Sequence, residues 1–202
     1  LYNCGYIIQT PSMNFGMDVV STKHVWELFW KIDPLIFEEL SDLLDMAFVS
    51  HRLPDHLDLE VVNRMIGADK LVAVPSGMEN LCINGVIGFE PSEIRDLYSL
   101  GRGNIPVNIE ALDLPFRMRH TTDLDMRVYK VSILEKLSLL HLGELDYELC
   151  VKTPEIRTRL KSLQPIDILL APLPFESNSS ENAFFEVLEL IGPDVVIPMH
   201  IA

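Results

Sequence analysis

Sheets covered by helices, a layered α/β or α+β domain, are what this sequence predicts. Three observations carry that expectation: hairpin-like strand pairs, strand-to-helix alternation along the chain, and polar clusters placed where strands end. With 202 residues and 48% hydrophobic content the chain can bury a substantial core, and it reads as one domain over 1–202. Residues 5–10 and 14–21 are short β-rich segments joined by a Pro-Ser turn, which predicts a hairpin. Residues 24–31 and 34–45 carry apolar side chains at helical spacing, with Asp33 and Pro34 punctuating two helices. Residues 46–49 form an apolar run that predicts a strand, and 59–68 a helix after it.

Residues 70–75 predict another short strand, and 76–104, with five glycines, reads as turn-rich. Beyond it, 107–112 is a strand candidate, and 127–134 with 137–142 predict a hairpin turning at Glu135-Lys136. Thr153-Pro154-Glu155 supplies a cap, a first-turn proline and an acid, so 153–163 is expected to be helical. Residues 166–171 predict a buried strand, 180–191 a helix, and 195–198 a last strand ending at Met199-His200. The chain begins at Leu1 inside a strand-like segment, which suggests that a first N-terminal strand precedes it in a longer protein.

Composition narrows the function classes. Thirty acidic residues against sixteen basic ones leave a formal charge of −14, which repels phosphate backbones and anionic lipid, so neither nucleic acid nor membrane is the expected partner. No apolar run approaches the roughly 20 residues that a membrane-spanning helix needs, and no signal-peptide pattern opens the chain. Cys4, Cys82 and Cys150 lie far apart without CxxC spacing, which argues against a disulfide framework and fits a cytoplasmic location. A small-molecule substrate is the remaining expectation. Trp26, Phe29 and Trp30 near His24 read as an amphipathic helix face, with a substrate entrance or a homo-oligomer contact as the other readings.

Chemistry concentrates in residues 50–58, SHRLPDHLD. Two imidazoles and two carboxylates sit on one strand-to-helix loop, and neutral imidazole with carboxylate is a ligand set for zinc or iron. Asp58 is placed to cap the following helix rather than to bind. The other acids and histidines of interest, Glu144 and His200, also follow strand patterns.

These residues resemble the metallo-β-lactamase superfamily over nearly the whole chain. His51, Asp55 and His56 match that family's H-x-H-x-D-H motif, with Leu53 at the position of its second histidine. The segment 141–146, HLGELD, is similar to the H-x-G-D segment with Glu144 replacing the bridging aspartate, and 197–200, IPMH, is similar to the closing segment. In ALDLPF, residues 111–116, Phe116 falls where the middle histidine is expected, leaving His120 as a displaced candidate. The resemblance implies a four-layer αββα sandwich and, nearest in flavour, the lactonase-like and phosphodiesterase-like hydrolases. It further implies metal ligands at His51, Asp55, His56, Glu144 and His200, with His51 and Asp55 as catalytic groups.

Leucine has no lone pair, so the resemblance implies one tightly held metal rather than two: Zn²⁺, with Fe²⁺ or Mn²⁺ as alternatives, on Asp55, His56 and His200, with Glu144 beside them. His51, released from ligation, is then expected to act as a general base. Arg119, with Arg117 and His120, either orients an anionic substrate or sits on a solvated loop. His141 is expected to support the site by packing. The function implied is hydrolysis of a small ester, lactone, amide or phosphodiester. The alternatives are a non-catalytic binding or structural domain of a longer protein, and an iron-dependent redox enzyme on the same fold.

Overall fold

A computed structural model describes residues 5–11, 13–20, 34–82, 85–99, 105–116, 126–134, 136–174 and 178–199. Its first sheet has the order β1-β2-β3-β4-β5, from Tyr6–Gln9, Asn14–Met17, Met46–Phe48, Leu71–Pro75 and Ile87–Phe89. The first two strands form the expected antiparallel hairpin, and the rest of this sheet is parallel. The strands β2, β3 and β4 are buried almost residue for residue, as expected of strands covered on both faces.

The second sheet runs β11-β10-β9-β8-β7-β6, from Val195–Met199, Ile168–Pro172, Leu137–His141, Val128–Ile133, Ile105–Leu112 and Ile94–Ser99. Strands β6 to β9 make an antiparallel meander, whereas β9, β10 and β11 are parallel. Parallel neighbours need crossovers, and helices supply them. Between β9 and β10 lie α3 (Tyr147–Lys152) and α4 (Pro154–Ser162), and between β10 and β11 lies α5 (Asn178–Ile191). On the first sheet, α1 (Pro34–Leu43) leads into β3, and α2 (Leu59–Gly67) joins β3 to β4.

Three apolar clusters give the αββα layering. The middle cluster joins the sheets: Phe15, Phe48, Ala73 and Phe89 from one pack with Ile109, Tyr129, Leu139 and Leu170 from the other. Tyr129 stands between Phe48 and Phe89, with ring centroids 5.4 and 5.9 Å away. On one outer face, Val61, Val62 and Met65 of α2 cover Ala47, Val49, Val72 and Val74. On the other, Cys150, Leu160, Phe184, Val187 and Ile191 cover Leu112, Val128, Leu140 and Leu169.

Several expectations change. The span 76–104 is not turns alone, because it contains a 3₁₀ turn at Glu79–Leu81 and both β5 and β6. Each of those strands is an edge strand of its sheet and is short or flanked by acids, so they lack the apolar run that marks a central strand. Strand β7 begins two residues early and takes in Pro106, whose side chain is exposed, and the six-residue α3 had no periodic signal long enough to read. The helix expected at 24–31 lies outside the described residues.

Candidate metal centre

Because β2, β3 and β4 are parallel, their C-terminal ends lie along one edge. Asp18 follows β2, while Ser50 and His51 follow β3. The Arg127 N–H donates to Ser50 O at 2.9 Å and so joins this edge to the second sheet just before β8. The Arg127 side chain, only 3% exposed, donates to Phe89 O at 3.1 Å, Met126 O at 2.8 Å and Ser76 Oγ at 3.3 Å.

The loop after β3 is a compact turn. Leu53 O accepts from His56 N–H at 2.9 Å and from Leu57 N–H at 2.8 Å, and Asp58 Oδ1 then caps α2 by accepting from Glu60 N–H at 2.8 Å. His51 and His56 are fully buried, with ring centroids 3.9 Å apart. At the other wall, Gly143 adopts φ +57°. A Cβ there would lie 3.2 Å from Met126 Sδ and 3.3 Å from Ser50 Cβ, so glycine serves both the left-handed backbone and the close approach. Glu144 follows, its N–H donating to Met126 Sδ at 3.4 Å.

Asp18 is the hub beneath these groups. Its Oδ1 accepts from Ser50 N–H at 2.6 Å, and its Oδ2 lies 2.6 Å from Ser50 Oγ, 2.7 Å from His56 Nδ1 and 3.2 Å from His141 Nε2. Asp18 itself sits at φ +47°, a conformation uncommon for a residue with a Cβ and often found where function demands it. Burial alone would raise its carboxyl. The fields of His141, His56 and His51 and the His56 hydrogen bond outweigh burial and hold it well below the usual carboxylate range.

With His56 Nδ1 engaged by Asp18, its Nε2 faces the carboxylates, 3.6 Å from Asp55 Oδ2 and 3.8 Å from Glu144 Oε1. Ligand atoms of Asp55, His56 and Glu144 all lie within 4.8 Å of one another. Tetrahedral donors each about 2.1 Å from one ion stand roughly 3.4 Å apart, so this group fits a metal with little movement. The Asp55 and Glu144 side chains are 27% and 18% exposed, which leaves an approach from solvent.

His51 stands outside this donor group. Its Nδ1 is 2.9 Å from Ser50 Oγ, and its Nε2 has no hydrogen-bond partner among the described residues. Phe116, bridged to Leu145, places its ring 6.5 Å from the His51 ring. Burial, then the charge of His56, push the His51 pKa down to about 3 against opposing pulls from Asp18 and Glu144. Its ring is therefore neutral near pH 7, a good lone-pair donor but a weaker base than one poised at that pH.

Asp55, His56 and Glu144 thus come together, with His51 beside them, whereas His200, His120 and Arg119 lie outside the described residues. The strand before His200, β11, runs parallel to β10. His141 is buried and faces Asp18. Sequence reasoning missed Asp18 and Ser50 as participants. The signal available was one acid in the apolar stretch FGMDVV and one hydroxyl opening the histidine loop.

Residues 31–200 match the β-lactamase superfamily domain family. The chain matches no curated protein by sequence. Among solved structures it is similar to Igni18, a metallo hydrolase from Ignicoccus hospitalis, with TM-score 0.68 and 12% identity over 98% of this chain and 79% of that one. A metal-dependent hydrolase candidate from Parabacteroides distasonis gives 0.68 and 15% over 98% and 79%. The diiron β-hydroxylase CmlA from Streptomyces venezuelae gives 0.64 and 14% over 99% of this chain and 44% of its own. At these identities the likeness concerns the fold alone.

Proposed function

The chain belongs to the metallo-β-lactamase superfamily, and from that premise we propose that it is a metal-dependent hydrolase of a small ester, lactone, amide or phosphodiester, working with one tightly bound metal. The observation that carries the proposal is the three-residue donor group Asp55, His56 and Glu144 with His51 left outside it. His200, next in sequence after Met199 of β11, is the fourth candidate ligand.

Zn²⁺, Fe²⁺ or Mn²⁺ bound there would polarise a carbonyl or phosphoryl oxygen and lower the pKa of a coordinated water from about 15.7 toward 7. The protein's own groups do the rest. Asp18 orients His56 through Nδ1, and Gly143 brings Glu144 against the site. His51 offers Nε2 to orient a water, and Phe116 walls the same side with apolar surface.

Two carboxylates among three donors also suit iron, which favours a redox enzyme as the second reading. Elemental analysis of protein purified without added metal, followed by hydrolase assays, separates them. One equivalent of zinc or manganese with ester or phosphodiester turnover supports the proposal. Iron without hydrolysis supports the redox reading, and no metal supports a non-catalytic domain.

A further inference from the structure

Ser50 has one hydroxyl proton and three polar neighbours. Its Oγ is 2.6 Å from Asp18 Oδ2, 2.9 Å from His51 Nδ1 and 3.3 Å from His56 Nδ1. An ionised carboxylate has no proton to give, so the shortest of these contacts is a bond only if Ser50 donates to Asp18. With that proton spent, Oγ faces the imidazoles as an acceptor. The His56 Nδ1 proton is directed to Asp18 at 2.7 Å. The contact with His51 at 2.9 Å is then a hydrogen bond only if His51 Nδ1 carries the ring proton.

We propose that Ser50 is a positioning residue that locks His51 in the Nδ1–H tautomer, which leaves the lone pair on Nε2. The assignment rests on the metal-centre reading only for the use made of that lone pair. Free imidazole side chains are not confined to this tautomer, so the lock has to come from the second bond the ring makes. Three further observations are consistent with a built device. Ser50 and His51 are both fully buried, so water does not compete for the hydroxyl. The Ser50 peptide is held from both sides, its N–H donating to Asp18 Oδ1 at 2.6 Å and its O accepting from Arg127 N–H at 2.9 Å. Finally, the position facing its side chain is Gly143, where a Cβ would come within 3.5 Å of Oγ.

Because its peptide is clamped independently of its hydroxyl, Ser50→Ala removes the acceptor while both backbone bonds remain. The test is long-range ¹H–¹⁵N correlation of the histidine rings in the metal-free protein at neutral pH, with His51 assigned by its loss in His51→Gln. The expected result is a pyrrole-like Nδ1 and a pyridine-like Nε2 at His51, with the tautomer ratio moving about fivefold or more toward Nε2–H in Ser50→Ala. A protonated Nε2 in the unsubstituted protein overturns the assignment, and that measurement needs no variant. An unchanged ratio in Ser50→Ala overturns it as well. Adding Zn²⁺ alone to the unsubstituted protein keeps the two readings apart: an Nδ1–H His51 in a protein that takes up no Zn²⁺ supports the lock and refutes the metal centre.

Discussion

The two buried histidines of the loop after β3 have ring centroids 3.9 Å apart and keep different company. His56 looks onto Asp55 and Glu144, two carboxylates within ligand range. His51 has the Phe116 ring as its neighbour, with centroids 6.5 Å apart, and stands outside the donor group. Both rings are tied through Nδ1 to the same network, one to Asp18 and the other to Ser50. The hydrogen-bond scaffold beneath the two rings is therefore shared, although only one of them joins the donor group. The scaffold and the ligand set are separable parts of such a site, because Asp18 and Ser50 are fully buried whereas Asp55 and Glu144 reach partly into solvent.

Removing the richer side should have the largest effect. His56→Ala or Asp55→Ala is expected to weaken Zn²⁺ binding more than about 100-fold, beyond what outer partners carry, and to abolish turnover. Competition with a chelator reads the first and an ester or phosphodiester assay the second. Retained affinity in both variants would place the metal elsewhere. Rebuilding the poorer side is the converse experiment. Leu53→His combined with Phe116→His should raise zinc content from one equivalent toward two, read by elemental analysis, because the scaffold under His51 is already in place.

Acid should separate the two kinds of group. His51 has a folded pKa of about 3 against an ordinary 6.5, so the unfolded chain binds more protons between those values and stability falls as pH drops through that window. The loss is on the order of 4 kcal/mol for the metal-free protein. Asp18, held below the carboxylate range, adds a further loss that begins only as pH falls below about 4. Denaturant melts of the metal-free protein across pH 3 to 7 read both, and His51→Gln should flatten the upper part of the curve. The smallest effect is expected from Gly143→Ala. Strain at φ +57° and contacts of 3.2 and 3.3 Å should cost about 1 to 3 kcal/mol in unfolding free energy and weaken Zn²⁺ binding through displacement of Glu144.

Much of this was legible in the sequence where the physics is local. The strand, turn and helix around His51, the Asp58 cap, the two hairpins and the two closing strands with the helix between them follow from periodicity and capping within a few residues. Phe116, which the resemblance sets where a middle histidine is expected, has its ring 6.5 Å from that of His51. Asp18 was not legible, because its role depends on a left-handed backbone and on partners 32, 38 and 123 positions away (18 to 50, 56 and 141). Strands β5 and β6 were missed for the same reason, since edge strands are defined by the neighbours they pair with. The grouping of Asp55, His56 and Glu144 needed both sheets to be in register before it could be measured.

Arg127 gives that registration a mechanical meaning. One residue just before β8 holds the Ser50 carbonyl with its main chain, and Phe89 O and Ser76 Oγ with its guanidinium. It acts as a rivet through both layers, set directly under the histidine loop. Shear between the layers is thereby transmitted to the peptide that carries Ser50, and the site keeps its shape only while the sandwich keeps its alignment.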